Sequence, residues 1–239
     1  MKNIIIFILL IIFTSCNLGD KKSSQKKYQD YFYDINKLTQ PKVQIFKYHK
    51  NDSIEYYFTK IERLIKGTDT LYIQNNFNNY IKFDSLISKI NENKTEIVGL
   101  YFFNGDSSEI ITKAEMISGQ TMPNDKFKTH QLLMNVKTPT GELMNFKGVL
   151  SLLKIENYQI ENREVECMVM TSETNAYYKK NLLFSNIDTL YMAKGLGLIR
   201  KYSSSVGQNK LWEIEKVINF SDFDINDYKD YTLPNTVYN

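Results

Sequence analysis

The stretch YMAKGLGLIRKYSS, from Tyr191 to Ser204, has two interpretations that lead to different folds. A dinucleotide-binding loop needs GxGxxG between a strand and a helix, and the third glycine position is occupied by Arg200. The residues after Gly197 alternate like a strand, and the GxxxxGK of a Walker loop is absent. Glycines inside a strand pattern mark a bulge or a tight bend. The segment therefore predicts two strands joined by a structural bend at Gly195 and Gly197, with no cofactor bound there.

Alternation of polar and apolar residues extends outward from this bend along most of the chain. It is clear in VQIFKYH (43–49), EVECMVMTSET (164–174) and KLWEIEKVI (210–218), which are rich in β-branched and aromatic residues. Turn signals such as KGTD (66–69), NGD (104–106) and PTGE (139–142) separate segments of about 8–12 residues. No alternation of strands with helices is visible, which argues against a Rossmann-type sheet. The sequence predicts a mainly β fold, a curved antiparallel sheet forming a half-barrel, an open barrel or a sandwich.

Two segments have the spacing of short helices. The aromatic residues of Tyr28–Leu38 recur near helical spacing, and Pro41 ends the segment. In Phe83–Lys94 the apolar residues fall at helical intervals, at Phe83, Leu86, Ile87 and Ile90. We therefore expect one or two short helices beside the sheet. The string DTLY occurs at Asp69 and at Asp188, and in both places it is expected to open a strand after a turn.

The first residues have the anatomy of a secretory signal. Lys2 provides a positive start, and Ile4 to Phe13 form an unbroken apolar run. This run is too short to cross a bilayer comfortably, because a membrane helix needs about 20 apolar residues. Thr14, Ser15 and Cys16 follow directly.

FTSC, followed by Asn17, resembles the lipobox of bacterial lipoproteins, although Phe13 stands where a small or aliphatic residue is commoner. The abundance of Ile, Asn and Lys is similar to that of proteins from Bacteroidota. The resemblance implies that residues 1–16 are a lipoprotein signal peptide ending at the lipobox cysteine, and that Cys16 is the lipidation site, carrying palmitate-type acyl chains. Asn17 favours the outer membrane. Surface-displayed lipoproteins of this group carry acidic residues right after the cysteine, whereas here Asp20 is alone and followed by Lys21 and Lys22, which favours the periplasmic face over the surface. The alternative is an ordinary signal or an uncleaved anchor with an incidental cysteine.

The remaining chain divides into a tether and one domain. Residues 17–27 are polar, rich in Lys and Ser, and predict a flexible tether without a core. Residues 28–239 are expected to form a single β-rich domain, since this length suits one large β domain.

A second, weaker resemblance rests on the same bend. Tyr191, Ala193, Gly195, Gly197, Leu198 and Ile199 form a segment similar to one in exported β-rich proteins that look like lipoprotein-localisation half-barrels. In that family a curved antiparallel sheet surrounds an apolar groove. The resemblance covers about the last third of the chain and implies a groove that takes a lipid-like ligand.

Charge and arginine content argue against a nucleic-acid partner. The net charge is only +3, and arginine occurs only at Arg63, Arg163 and Arg200, far apart in the sequence. A nucleic-acid surface would show a basic stripe on one element. We therefore interpret the lysines as a solvated surface and expect no nucleic acid as partner.

No catalytic motif is present in the sequence. GxSxG is absent, and His49 and His130 each lack a second ligand nearby, so we expect both to be solvent-facing strand residues. Cys167 lies in an apolar alternating stretch without a neighbouring histidine and is expected to be a small buried hydrophobic residue. We predict no catalytic residue.

The acidic tail imitates part of a calcium loop. Asp222, Asp224 and Asn226 match its first three positions, but Asp227 stands where glycine is required. A solvated acidic segment is the expectation, with a looser cation site as the alternative. We predict no metal site and no cofactor.

These observations favour a non-enzymatic, lipid-anchored envelope protein that binds an apolar or amphipathic ligand in a β groove. One alternative is a structural or interaction subunit of an outer-membrane complex, including an immunity-type lipoprotein, which would expose a flat apolar patch. A third is a hydrolase without a recognisable motif, which would need a cleft holding a nucleophile and a base such as His49 or His130.

Overall fold

The computed structural model describes residues 28–31, 33–50, 53–78, 81–90, 94–103, 110–123, 128–138, 140–160, 162–205 and 208–231. The predicted signal peptide, Cys16 and the tether lie outside these residues. So does the turn expected at 104–106. No helix in the described part of the chain is long and apolar enough to cross a membrane.

Within those ranges, fourteen strands form one antiparallel sheet. They are β1 Lys42–Lys50, β2 Ser53–Lys66, β3 Asp69–Asn78, β4 Ile81–Ile90, β5 Lys94–Phe103, β6 Ile110–Lys113, β7 Glu115–Ser118, β8 Thr121–Pro123, β9 Thr129–Lys137, β10 Leu143–Ile160, β11 Arg163–Tyr178, β12 Asn181–Ala193, β13 Gly197–Ser205 and β14 Gln208–Asn219. The predicted mainly β, curved antiparallel sheet is confirmed.

The sheet curls until its two edges nearly meet. The strand order is β6-β5-β4-β3-β2-β1-β14-β13-β12-β11-β10-β9-β7, with β8 paired to β5. The two edge strands, β6 and β7, are consecutive in the chain and are separated only by Ala114. The chain therefore steps from one edge of the sheet to the other, and the sheet is a nearly closed barrel. A cleft of about 560 Å³ remains at this seam, beside Val98 and Met116.

Side chains fill the interior. One core cluster joins buried residues from strands around the whole sheet, including Phe46, Leu100, Met134, Met170 and Trp212. Residues from so many strands can contact one another only inside the barrel. Because side chains alternate across a strand, the register then assigns every other residue to this inner face.

The N-terminal segment, residues 28–41, closes one end of the barrel. It contains two 3-10 turns, Tyr28–Tyr31 and Ile35–Lys37, where the sequence predicted a single short helix. Tyr31 belongs to the main core, while Ile35 and Leu38 pack against Ile61 and other inner-face residues. We call this segment the plug, and the end of the barrel that it closes the plug end.

The helix predicted at Phe83–Lys94 is wrong, because residues 81–90 form strand β4. Pairing with β3 and β5 gives Asp84, Leu86, Ser88 and Ile90 one common face, the inner one. Two of these inward positions are polar, and outward Ile87 is apolar. The alternation of apolar and polar residues expected of a strand is therefore not visible in the sequence of β4. Its apolar residues Phe83, Leu86, Ile87 and Ile90 instead fall at helical intervals.

The C-terminal segment packs on the outside of the barrel. Two 3-10 turns, Phe220–Asp222 and Ile225–Tyr231, follow β14. Tyr228 is buried and contacts Val43, Tyr56 and Phe58 on the outer face of β1 and β2. The expectation of a solvated acidic tail was therefore only half right. Asp222, Asp224 and Asp227 are exposed, but the aromatic residues between them hold the segment against the sheet.

Candidate functional site

Gly195 and Gly197 lie in the turn between β12 and β13, with φ angles of +73° and +77°. The amide of Gly195 donates to the carbonyl of Asp30 at 2.7 Å, and the side chain of Gln44 donates to the carbonyl of Leu196 at 3.1 Å. The turn thus holds the plug segment in place. Its backbone groups are used by the protein itself, which removes the basis for a phosphate loop.

Arg200, the basic residue after the glycines, is also engaged by protein groups. Its guanidinium carbon lies 5.5 Å from the ring centroids of both Tyr158 and Tyr191. Its Nη1 donates to the hydroxyl of Tyr158 at 2.9 Å, and its Nε lies 3.4 Å from a carboxylate oxygen of Glu213. Arg200 therefore ties β10, β12 and β14 together across the outer face.

Cys167 is fully buried between Ala193 and Ile199, as a small hydrophobic residue is expected to be. Burial, with smaller contributions from Glu156 and Glu166, raises the pKa of its thiol to about 11. A nucleophilic cysteine needs the opposite shift, since the thiolate is the reactive form. The prediction of a structural cysteine is confirmed.

The two histidines have different surroundings. His49 is exposed near the end of β1, as predicted. His130 is half-buried on the inner-facing row of β9, and its Nε2 lies 2.8 Å from the carbonyl of Gly119. The expectation that His130 faces solvent is wrong, because β9 turns that row of side chains inward.

The acidic tail uses its ligand-like groups locally. Both the backbone amide and the side-chain amide of Asn226 donate to Asp224, at 2.8 and 2.7 Å, which forms a small turn. Among the described residues, no group of three or more His, Cys, Asp or Glu side chains is close enough together to hold a metal ion.

A buried polar network inside the barrel escaped sequence analysis. Asn76 accepts hydrogen bonds from Tyr57 at 2.5 Å and from Thr59 at 2.8 Å, and donates to Asp84 at 2.7 Å. The other carboxylate oxygen of Asp84 is buried and has no hydrogen-bond partner among the described residues. Burial raises the pKa of Asp84 well above its ordinary range, against weaker opposition from Asn76 and Lys82. The only signal in the sequence was polar residues at inward positions of β3 and β4.

A second buried group, in β12 and β13, centres on Lys201 and Asp188. Asn186 donates to the carboxylate of Asp188 at 2.7 Å. Asp188 is the aspartate of the second DTLY string, and it lies within β12 rather than at a strand start, so that expectation was wrong. Asp69, in the first string, does open β3.

A concave surface lies on the outside of the barrel, beneath the C-terminal segment. It has a volume of about 710 Å³ and lies over β1–β4. We call it the outer cleft. It is lined by Val43, Phe58, Lys60, Glu62, Ile73, Asn75, Phe77, Lys82, Ser85, Phe220, Phe223, Asp224 and Ile225.

The outer cleft combines an apolar surface with few charges. Lys60 and Glu62 neutralise one another at 2.9 Å. The amine of Lys82 lies 4.0 Å from the ring centroid of Phe103, and no carboxylate of the described residues lies within salt-bridge distance of it. Burial lowers the pKa of Lys82. Glu62 and Asp84 oppose this shift more weakly, from beyond salt-bridge distance. The cleft can therefore hold an apolar group beside one amine that makes no salt bridge with the described residues. Neither histidine lines it.

Alternation in β2 and β3 already assigns Lys60, Glu62, Ile73 and Phe77 to one face. The cleft is nevertheless not evident from the sequence, because the upper wall of the cleft is made by Phe220 and Phe223. Nothing in the local pattern of the tail shows where it packs.

No protein family matches the sequence, and no curated protein matches it either. The fold is similar to the crystal structure of a "putative lipoprotein" from Parabacteroides distasonis. The TM-score is 0.51 and the sequence identity 8%, and the alignment covers 79% of this chain and 98% of that one. A "putative exported protein with YmcC-like fold" from Bacteroides fragilis aligns with a TM-score of 0.44 and 10% identity, over 75% of this chain and 95% of that one. The likeness to the Parabacteroides structure shows a shared fold.

Proposed function

We propose that this protein is a lipid-anchored component of the bacterial cell envelope. It is attached through Cys16 to the outer membrane, with its barrel on the periplasmic side. The sequence FTSC supports this anchor, and so does the description of the Parabacteroides structure with the same fold as a lipoprotein. Two or more acyl chains on one cysteine give stable attachment, since each buried CH₂ contributes about 0.8 kcal/mol.

We further propose that the barrel binds an amphipathic ligand without catalysing a reaction. The observation that carries this proposal is Lys82, a half-buried amine that makes no salt bridge with the described residues, at the wall of an apolar cleft of about 710 Å³. Small-molecule sites have volumes of this order, mostly apolar linings and a few polar groups that orient the ligand. An acyl chain or another apolar group suits Phe58 and Phe77, and an anionic group suits Lys82.

This assignment differs from the groove expected from sequence. The half-barrel resemblance implied a ligand on the concave inner face of the sheet. The inner face is instead filled by the main core cluster, because the sheet closes almost completely on itself. The ligand is therefore assigned to the outer cleft.

The test is native mass spectrometry of the full protein, extracted in detergent from a Bacteroidota host. Ile73→Asp places a charge in the cleft, and Ile187→Asp places one on the exposed outer face of β12, away from it. We expect a lipid-like mass on the wild type and on Ile187→Asp, and its loss from Ile73→Asp. The same mass on all three proteins, or on none, contradicts the proposal.

One observation favours the alternative of an interaction subunit. Leu143, Leu182 and Leu183 are exposed near the turns that join β9 to β10 and β11 to β12, at the end opposite the plug. An apolar patch of this kind suits a protein partner. A ligand-free mass for the wild type, together with cross-linking of a Leu183→Cys variant to a neighbouring protein in intact membranes, would favour this function.

A further inference from the structure

The plug end of the barrel carries exposed apolar residues at its rim. The β2–β3 hairpin extends past the plug contact at Ile61 and Tyr72 and ends in Leu64 and Ile65, of which Ile65 is 62% exposed. The β12–β13 turn lies at the same end of the barrel, separated from the β2–β3 hairpin by strands β1 and β14, and it exposes Leu196. Large apolar side chains at the tips of turns contribute nothing to the core of the barrel.

Cations accompany these apolar residues. Lys66 follows Ile65 and is exposed. Lys194 stands two residues before Leu196 with its side chain 54% exposed, and its amine lies 4.0 Å from a carboxylate oxygen of Glu166. The rim thus presents apolar tips next to ammonium groups. A surface with that chemistry suits the boundary between acyl chains and anionic headgroups.

The N-terminal connection starts at this same end. Asp30 accepts a hydrogen bond from Gly195, and Tyr33 pairs with Gly195 in an isolated bridge, so the described chain begins beside the β12–β13 turn. Eleven residues, 17–27, separate Cys16 from Tyr28. Even fully extended, they span about 40 Å.

This length favours the plug end over the opposite one. A 14-residue strand such as β2, tilted as in a barrel, separates the two ends by about 35 Å. For the opposite end of the barrel to touch the bilayer, residues 17–27 would therefore have to be almost fully extended. Contact by the plug end needs only a small part of it.

We propose that the plug-end rim, formed by Leu64, Ile65 and Leu196 with Lys66 and Lys194, rests on the lipid bilayer and inserts its apolar tips at the headgroup boundary. This inference rests on the anchor at Cys16 and is independent of the outer cleft.

The test uses the full lipidated protein in vesicles of phosphatidylethanolamine and phosphatidylglycerol, with a nitroxide label on single introduced cysteines. Cys167 does not interfere, because it is fully buried. The rim labels are Ile65→Cys and Leu196→Cys. The matched controls are Ile187→Cys, on the wall and 50% exposed, and Leu183→Cys, at the opposite end and 56% exposed.

We expect all four proteins to float with the vesicles. The ratio of collisions with oxygen to collisions with a water-soluble nickel chelate should be several-fold higher at Ile65 and Leu196 than at the two controls. Water-accessible rim labels on protein that floats overturn the proposal while leaving the anchor intact. Failure to float overturns both together. Protection of Ile65 in native membranes but not in pure vesicles also overturns it, in favour of a protein partner at the rim.

Discussion

Lys201 and Asp188 form an ion pair inside the barrel, with 3.1 Å between the amine and the carboxylate and only 1% of either side chain exposed. They come from neighbouring strands, β13 and β12, and lie diagonally on the inner face, since Lys201 pairs with Leu190 and Asp188 with Ser203. Moving two charges out of water is costly, and their attraction offsets this cost only while both partners are present. Burial accordingly lowers the pKa of Lys201, against the opposing effect of Asp188.

Removing one partner of this pair should destabilise the protein strongly. We expect Asp188→Ala to lower the free energy of unfolding by about 3–5 kcal/mol, because it leaves the buried ammonium without its carboxylate. The double variant Asp188→Leu with Lys201→Met should recover most of this loss, since no charge then remains buried. Urea unfolding of Asp188→Leu, Lys201→Met and the double variant measures the coupling. Simple addition of the two single effects would show that the pair does not act as a unit.

Asp84 should make stability depend on pH. Its folded pKa is raised well above its unfolded value of about 3.9, so the folded state holds a proton that the unfolded state releases. Its contribution to stability is therefore full below about pH 4 and is lost as the pH rises through the folded pKa.

Asp84→Asn keeps the shape of the side chain and removes this titration. We expect it to be more stable than the wild type at pH 8, with the difference shrinking towards pH 5 in urea unfolding. Asp69→Asn, which alters an exposed pair with Lys89, is the control and should show no such trend. Equal pH dependence of Asp84→Asn and the wild type would rule out Asp84 as the source.

Cys167 should be almost inert in the native protein. With a pKa of about 11, only about one thiol in a thousand is ionised at pH 8, and the side chain is inaccessible as well. We expect its reaction with an aromatic disulfide reagent to accelerate at least about a hundredfold in concentrated urea, followed by mass spectrometry of the Cys167 peptide. Comparable rates in the two states would contradict its burial.

The two glycines of the β12–β13 turn should differ in their tolerance of a side chain. Both have positive φ, which costs an L-residue about 1–2 kcal/mol. A Cβ on Gly195 would meet no atom within 4 Å, whereas one on Gly197 would lie 3.2 Å from the backbone nitrogen of Tyr33.

Gly195→Ala should therefore lose about 1–2 kcal/mol of unfolding free energy, and Gly195→Asn less, because asparagine adopts positive φ more readily. Gly197→Ala should lose more than Gly195→Ala, since the plug must also shift. Thermal and urea unfolding of the three variants test this order. Equal losses for the two alanine variants would mean that the plug gives way at no cost.

Much of the fold could be predicted from local patterns. β11 and β14 could be predicted as strands because polar and apolar residues alternate along parts of them, as at 164–167 in β11 and 212–215 in β14. Cys167 could be assigned because its neighbours are apolar. β4 could not, since inward Asp84 and Ser88 are polar, and their burial depends on partners in β2 and β3 that lie distant in the sequence.

The sequence by itself determined most of the strands and the bend at Gly195 and Gly197, because each depends on the backbone and side-chain preferences of a few consecutive residues. The lipobox at Cys16 is likewise a prediction from a short local pattern. Only the tertiary structure decided that the barrel closes through Ala114, that the plug fills one end, and that Phe220 and Phe223 lie over the outer face to form the cleft. These features depend on contacts between residues far apart in the chain. Their free energy comes from shared burial, which no local pattern specifies.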